Sequence, residues 1–302
     1  MEAMTAVVGD RGEARLTRVR MKERTPGWAR LRVLLAGICR TDVYAADGRL
    51  PLPGPTILGH ELVGEVEDVD PASELSIGDR VTVFPLMACG RCAACARSGR
   101  CSRPRMLGVD LDGAFAEHLL VPVASLRRVP VTLSLRRAAY LEPLAAALAV
   151  TQAPIRVDQA GIVLGAGRIA DLTSRILRAR GFELAEEPGA ERDGAFDFVI
   201  EASGTEEGLA RAIDLVVPGG VVVLKSRPPR PLALDVARAV KADLTLACVS
   251  YGSFDEAARL AADLPIEDLL GDVYPLARFD AAMVRTREEP LGPKLFLSPG
   301  GA

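Results

Sequence analysis

Histidine is scarce in this chain: there are two, His60 and His118, among 302 residues. Any imidazole chemistry therefore falls to one of these two positions. An excess of charge is also missing. The formal net charge is −3, which gives no sign of a nucleic-acid groove or of a face for an anionic membrane. Long apolar runs are absent too. The stretch 140–150 is interrupted by Glu142 and Pro143, so no segment is expected to span a bilayer. The first residues, Met1-Glu2-Ala3-Met4, are not a basic region followed by an apolar run. No signal peptide is read there, and a cytoplasmic location is expected. Internal repeats and low-complexity segments are lacking as well. What remains is ordinary for a globular protein: 49% hydrophobic and 25% charged residues, in a length sufficient for two domains.

Cysteine is present in a pattern. Four of the six fall in Cys89-x2-Cys92-x2-Cys95-x5-Cys101. In a reducing compartment such a cluster points to a metal rather than to disulfides. Four thiols at this density suit a closed, tetrahedral structural zinc site; an iron–sulfur cluster and free thiols are the alternatives. The segment has few apolar residues of its own, so a metal would pin its shape.

A second group lies upstream. Cys39, His60 and Glu61 bring a thiol, an imidazole and a carboxylate within 23 residues. These are the side-chain types that bind zinc. The reading is that Cys39 and His60 hold a catalytic zinc, while Glu61 ligates it or orients a ligand. A buried thiol beside a surface His-Glu pair is the plain alternative. His118 stands one residue before an apolar run, and a structural or surface role is expected for it. Glu142 lies inside the apolar, helically spaced stretch 135–148. A carboxylate there is costly to bury unless paired or metal-bound, so a place near the zinc is read for it, against a plain acid at a helix start.

Residues 1–88 read as β-rich, with strands expected at 29–36, 62–69 and 81–84. Short strands separated by Gly and Pro suggest a barrel or sandwich. At residue 161 the pattern changes. Gly161-Ile162-Val163-Leu164 reads as a buried strand. Gly165-Ala166-Gly167-Arg168-Ile169-Ala170 follows, opening an amphipathic helix. Strand, Gly-rich turn and helix together form the context of a dinucleotide fingerprint, with the phosphates at the helix N-terminus. The run 181–187 reads as the second strand. It ends in Glu186 and Glu187, about 20 residues beyond Gly165, where a ribose-binding carboxylate is expected; a solvated acidic turn is the alternative. Only about 15 residues separate that run from the next strand at 196–201, too few for a helix and a strand between them.

In this order, the pieces resemble the zinc-dependent medium-chain alcohol/polyol dehydrogenase family, in the branch with sorbitol, glucose and threonine dehydrogenases. The matching residues are Gly37-Ile38-Cys39-Arg40-Thr41-Asp42, Gly59-His60-Glu61, Gly78-Asp79-Arg80-Val81, the four-Cys lobe, Glu142-Pro143-Leu144, the Gly165-x-Gly167 turn, Val199-Ile200-Glu201-Ala202-Ser203-Gly204 and Pro218-Gly219-Gly220. The resemblance spans nearly the whole chain. It implies an α/β plus β fold: a GroES-like catalytic domain over 1–150 with a structural-zinc lobe, a shortened Rossmann domain over 151–268, and a return to the catalytic domain over 269–302.

The resemblance also implies two zinc ions per chain. Cys39, His60, Glu61 and Glu142 surround the catalytic one, and Cys89, Cys92, Cys95 and Cys101 hold the structural one. NAD is the implied cofactor, with NADP left open, and its site draws on Arg40, Gly165, Gly167, Arg168, Ile169, Glu186 and Glu187. Thr41 stands where the family places the hydroxyl that takes the substrate proton, and Asp42 where a carboxylate orients the zinc-bound histidine. The implied reaction is hydride transfer between a secondary alcohol of a polyol, sugar, cyclitol or related small molecule and NAD(P), in a homodimer or homotetramer. Three departures stand out. Tyr44 occupies the place of a histidine that passes the proton onward, and a phenol with a pKa of about 10 is a poorer relay. The last cysteine gap is short. One helix–strand unit is missing from the cofactor domain. The first and third motivate a second reading, a relative that keeps fold and zinc but only binds.

Overall fold

The computed structural model describes residues 3–98, 101–186, 193–228 and 230–300. It divides into two compact units, Met1–Glu142 with Glu267–Ala302, and Pro143–Ile266.

The first unit contains β1 (Ala3–Asp10), β2 (Glu13–Arg20), β3 (Trp28–Gly37), α1 (Arg40–Ala46), β4 (Thr56–Ile57), β5 (Glu61–Asp68), β6 (Arg80–Val83), β7 (Leu86–Met87), α2 (Ala93–Ser98), β8 (Arg105–Met106), β9 (His118–Pro122), β10 (Leu126–Arg128) and α3 (Leu135–Ala139). Helix α4 (Leu141–Leu148) carries the boundary, between Glu142 and Pro143. The second unit runs through β11 (Gly161–Leu164), α5 (Arg168–Ala179), β12 (Leu184–Ala185), β13 (Phe196–Glu201), α6 (Glu206–Leu215), β14 (Val216–Leu224), α7 (Val236–Lys241), β15 (Thr245–Cys248) and α8 (Phe254–Asp263). The chain then returns to the first unit with β16 (Leu270–Pro275), α9 (Phe279–Glu288) and β17 (Lys294–Ser298). Among the described residues, no helix is long and apolar enough to cross a membrane.

Strand β3 shows why the first unit folds as it does. Ala29, Leu31 and Val33 are buried, and Trp28, Arg30 and Arg32 alternate with them on the other face, the period-2 pattern of a sheet with one side in the core. The buried side joins Leu62, Val66, Val81 and Phe115 in one cluster. The main sheet runs β10-β6-β5-β3-β17-β16, with β9 also pairing β3. A smaller sheet runs β2-β1-β4. The register around β3 places the chemistry. Gly37 lies opposite Glu61 on β5 and opposite Phe296 on β17. Cys39, just past the end of β3, and His60, just before β5, therefore leave the sheet at the same edge.

In the second unit all neighbouring strands are parallel, in the order β12-β11-β13-β14-β15. Against the six-strand order 3-2-1-4-5-6 of a dinucleotide fold, no strand pairs beyond β12 among the described residues, in line with the short spacing before residue 196. The near-continuous apolar runs of β11 and β13 are buried on both faces, as parallel strands covered by helices require.

Three elements differ from the sequence expectation. The stretch 135–148 reads as one helix but breaks at Tyr140 into α3 and α4. Pro143 has no amide hydrogen for the Ala139 carbonyl, and its ring would clash there, whereas the first turn of a new helix accepts it. The second Rossmann strand shrinks to Leu184–Ala185, paired with Gly161 and Ile162. Pro218-Gly219-Gly220, read as the turn that opens a strand over 221–224, lies inside β14 instead. Gly219 takes φ +77° there, and the register with β13 shifts by a bulge.

Candidate functional site

Cys39 is the N-cap of α1. Asp42, in the first turn and 1% exposed, fixes this corner. Its Oδ2 accepts from the Cys39 amide at 2.8 Å, and its Oδ1 accepts from the Gly59 amide at 3.1 Å. One carboxylate thus ties the loop after β3 to the loop before β5. Gly59 needs its residue type for two reasons. Its φ is +96°, and a Cβ would lie 2.4 Å from the Phe115 ring. The Cys39 thiol lies 3.8 Å from Thr41 Oγ1.

The tie brings three donors together. Cys39, His60 and Glu61 each offer a ligand atom, and these lie within 4.8 Å of one another. His60 is 1% exposed, and its Nδ1 has no hydrogen-bond partner. The nearest acceptor, Asp42 Oδ1, is 3.6 Å away. Burial alone would push the imidazole pKa down. The Asp42 carboxylate, with Cys39 beside it, outweighs this and holds the ring well above its ordinary value. The pocket therefore attracts positive charge, and a cation would satisfy it as a proton does. Donor types, convergence and burial all fit a zinc ion.

Glu61 has a second demand on it. Its Oε1 accepts from Lys294 Nζ at 2.7 Å, and Oε2 lies 2.6 Å from the same nitrogen. Lys294 is 3% exposed and also donates to the Ile38 carbonyl at 3.0 Å. Gly37 leaves room for this pair, since a Cβ there would lie 2.5 Å from Glu61 Oε2. The sequence reading missed Lys294. The available signal was a lysine opening the apolar strand Leu295-Phe296-Leu297, where a buried ammonium requires a partner. Glu142 is 4% exposed, in the first turn of α4, and it is not among the three converging donors. Arg40 is exposed at the start of α1. Tyr44 carries the Arg49 guanidinium 4.5 Å above its ring. His118 pairs with Glu67 at 2.7 Å, away from the three donors.

The four-Cys group also assembles. Cys89, Cys92, Cys95 and Cys101 offer sulfurs within 4.8 Å of one another. Cys92 and Cys95 are 3.3 Å apart, and Cys89 and Cys95 4.0 Å. Backbone N–H groups of Ser102 and Cys95 lower the Cys92 thiol to about 5, while the neighbouring Cys92 raises Cys95 to about 11. The sulfurs crowd one point. A tetrahedral thiophilic cation fits that donor set.

In the second unit the Gly-rich turn follows β11. Gly165 takes φ +123°, and a Cβ would lie 2.7 Å from the backbone of Ala202 and Ser203. Gly167, at φ +108°, is the N-cap of the twelve-residue α5, which opens with Arg168 and Ile169. Ala170, in place of a third glycine, is buried at 6% exposure in the first turn of α5. The loop facing Gly165 is held by a residue whose part the sequence did not reveal. Glu201, 1% exposed at the end of β13, accepts at Oε1 from Ser203 N (2.7 Å), Ser203 Oγ (2.5 Å) and Gly204 N (2.9 Å), and at Oε2 from Ser226 Oγ. Glu186 is exposed just past β12. Glu187 lies outside the described residues.

Comparison with known proteins supplies the context. The alcohol dehydrogenase GroES-like domain matches residues 25–131. L-threonine 3-dehydrogenase of Streptomyces coelicolor is 30% identical over 286 residues, covering 80% of this chain and 83% of that enzyme. L-galactonate-5-dehydrogenase of Escherichia coli is 32% identical over 232 residues, covering 65% and 67%. Among solved structures, a zinc-binding dehydrogenase from Sinorhizobium meliloti bound to NADP superposes with a TM-score of 0.85 at 25% identity, over 99% of this chain and 100% of that one.

Proposed function

The chain belongs to the zinc-dependent medium-chain alcohol/polyol dehydrogenase family, and from that premise we propose how its own residues divide the work of an NAD(P)-dependent alcohol/polyol dehydrogenase. The carrying observation is the convergence of Cys39, His60 and Glu61 within 4.8 Å in a buried pocket that favours a cation.

In this proposal Cys39 and His60 hold the catalytic zinc. Asp42 holds the loops that present them. Glu61, shared with Lys294, sits at the edge of ligation, and Glu142 completes the surroundings of the metal. When bound, zinc supplies a Lewis acid that lowers the pKa of the substrate hydroxyl. Thr41 Oγ1, beside the Cys39 thiol, is placed to accept the hydroxyl proton. Tyr44, under Arg49, stands where a histidine would pass the proton on, and onward proton transfer is assigned to water. Amides of the Gly165–Gly167 turn and the N-terminus of α5 take the cofactor pyrophosphate, with Arg168 adding a positive charge. Arg40 is kept as a cofactor-binding residue, and Glu186 is assigned to the adenosine ribose, which favours NAD. The substrate class is a secondary alcohol of a polyol, sugar or related small molecule. The second zinc belongs to Cys89, Cys92, Cys95 and Cys101, and the assembly is a homodimer or homotetramer. No observation favours the reading of a binding protein without catalysis.

Metal analysis tests the core of this assignment. The purified protein is expected to carry two zinc ions per chain, and Cys39→Ser one. A variant that retains both ions refutes the placement at Cys39. Titration with NADH and NADPH tests the rest: no binding of either at millimolar concentration removes the dehydrogenase reading.

A further inference from the structure

The first unit contains a cavity of about 460 Å3 that plays no part in the site above: none of Cys39, Thr41, His60 or Glu61 lines it. Its volume falls within the range of small-molecule sites, roughly 300–1,000 Å3. Its walls are mainly apolar and come from Met4, Val8, Val19, Met21, Ile57 and Leu111. Methionines supply part of that wall, and their flexible thioethers adapt to the shape of a guest.

Most charges around the cavity are matched within the protein. Lys22 pairs with Asp112 at 2.5 Å, and His118 with Glu67 at 2.7 Å; Glu23, also on the wall, is exposed to solvent. Arg30 differs. The alternation of β3 sends Ala29 and Leu31 into the core and leaves Arg30 on the opposite face with Trp28, where both line the cavity. Its Nε is buried and has no hydrogen-bond partner. Among the described residues its side chain makes no ion pair. Its two Nη groups are not buried in this way, and the residue as a whole is half-buried, so the end of the guanidinium stays open to an acceptor. The group that pairs with it best is a carboxylate, matched to guanidinium in charge and in fork geometry.

We propose that this cavity binds an amphipathic carboxylate, a medium-chain fatty acid, with its hydrocarbon chain against the Met and Val wall and its carboxylate on Arg30. The site is independent of the dehydrogenase assignment.

The chain contains a single tryptophan, and it is Trp28, so its emission reports on this cavity. Zinc-loaded full-length protein is titrated with monomeric decanoate and, in parallel, with 1-decanol. A saturable change in Trp28 emission is expected for both, with decanoate binding about tenfold tighter or more, the scale of one charge-assisted hydrogen bond. Arg30→Met is expected to abolish that preference while leaving decanol affinity unchanged, and Arg30→Lys to keep part of it. No saturable response to decanoate overturns the proposal. So does equal affinity of the unaltered protein for acid and alcohol, a result that needs no variant to fold. A dimer that shields Trp28 from acrylamide and binds no decanoate also overturns it, in favour of a second copy as occupant.

Discussion

A buried ammonium needs an acid beside it, and the Lys294–Glu61 pair shows what that requirement does near a metal site. Both side chains are almost fully buried. Removing one charge strands the other, which typically costs about 3–5 kcal/mol. Lys294→Met is therefore expected to lower the melting temperature clearly, and the double variant Lys294→Met with Glu61→Gln to recover much of it. Thermal scans of zinc-loaded protein check this, and a single variant that melts with the wild type shows that the pair contributes nothing. Thr41 is predicted to act differently. Its hydroxyl serves the substrate proton in the proposal, so Thr41→Ala is expected to reduce turnover by about 100-fold or more, the scale of one proton-transfer group, while NADH affinity stays within a few-fold. Equal losses in both would count against the assigned role.

Among the elements, the turn between β11 and α5 depends most on a single residue type. Gly165 combines a positive φ with a 2.7 Å approach to the loop after β13, and Glu201 holds that loop through three hydrogen bonds to Oε1. Neither side can yield easily. Gly165→Ala is expected to weaken NADH binding by tenfold or more, with the zinc content unchanged, because the metal donors belong to the other unit. Cofactor titration and metal analysis on one preparation decide it; normal NADH affinity would show that the turn can relax. Helix α4 carries a related lesson about elements. Apolar spacing at 135–148 is continuous, yet Pro143 divides the helix, because a missing amide hydrogen overrides periodicity.

For the whole molecule, β17 is the element that makes the first unit one body. It lies between β3 and β16, inside the main sheet, and it opens with Lys294. The first 142 residues alone would leave Ala36 and Gly37 of β3 without their β17 partners and the core cluster without Leu295 and Leu297. A fragment of residues 1–142 is expected to lack cooperative unfolding and to aggregate. A fragment giving a sharp thermal transition and retaining two zinc ions would contradict this.

Much of the site was legible in the sequence, since its motifs are short. Cys89 to Cys101, Gly165 to Gly167, and His60 with Glu61 carry their chemistry within a few residues, where spacing alone limits what the groups can do. The count of residues before 196 also left too little chain for a further helix and strand, and among the described residues the Rossmann sheet has five strands. Tertiary structure decided the rest. Lys294 meets Glu61 across 233 residues, Asp42 ties Gly59 across 17, and Arg30 faces a cavity built from several separate stretches of chain. Such contacts follow from strand register, which depends on burial and pairing summed over a whole sheet, and no local pattern records which distant residue will arrive opposite.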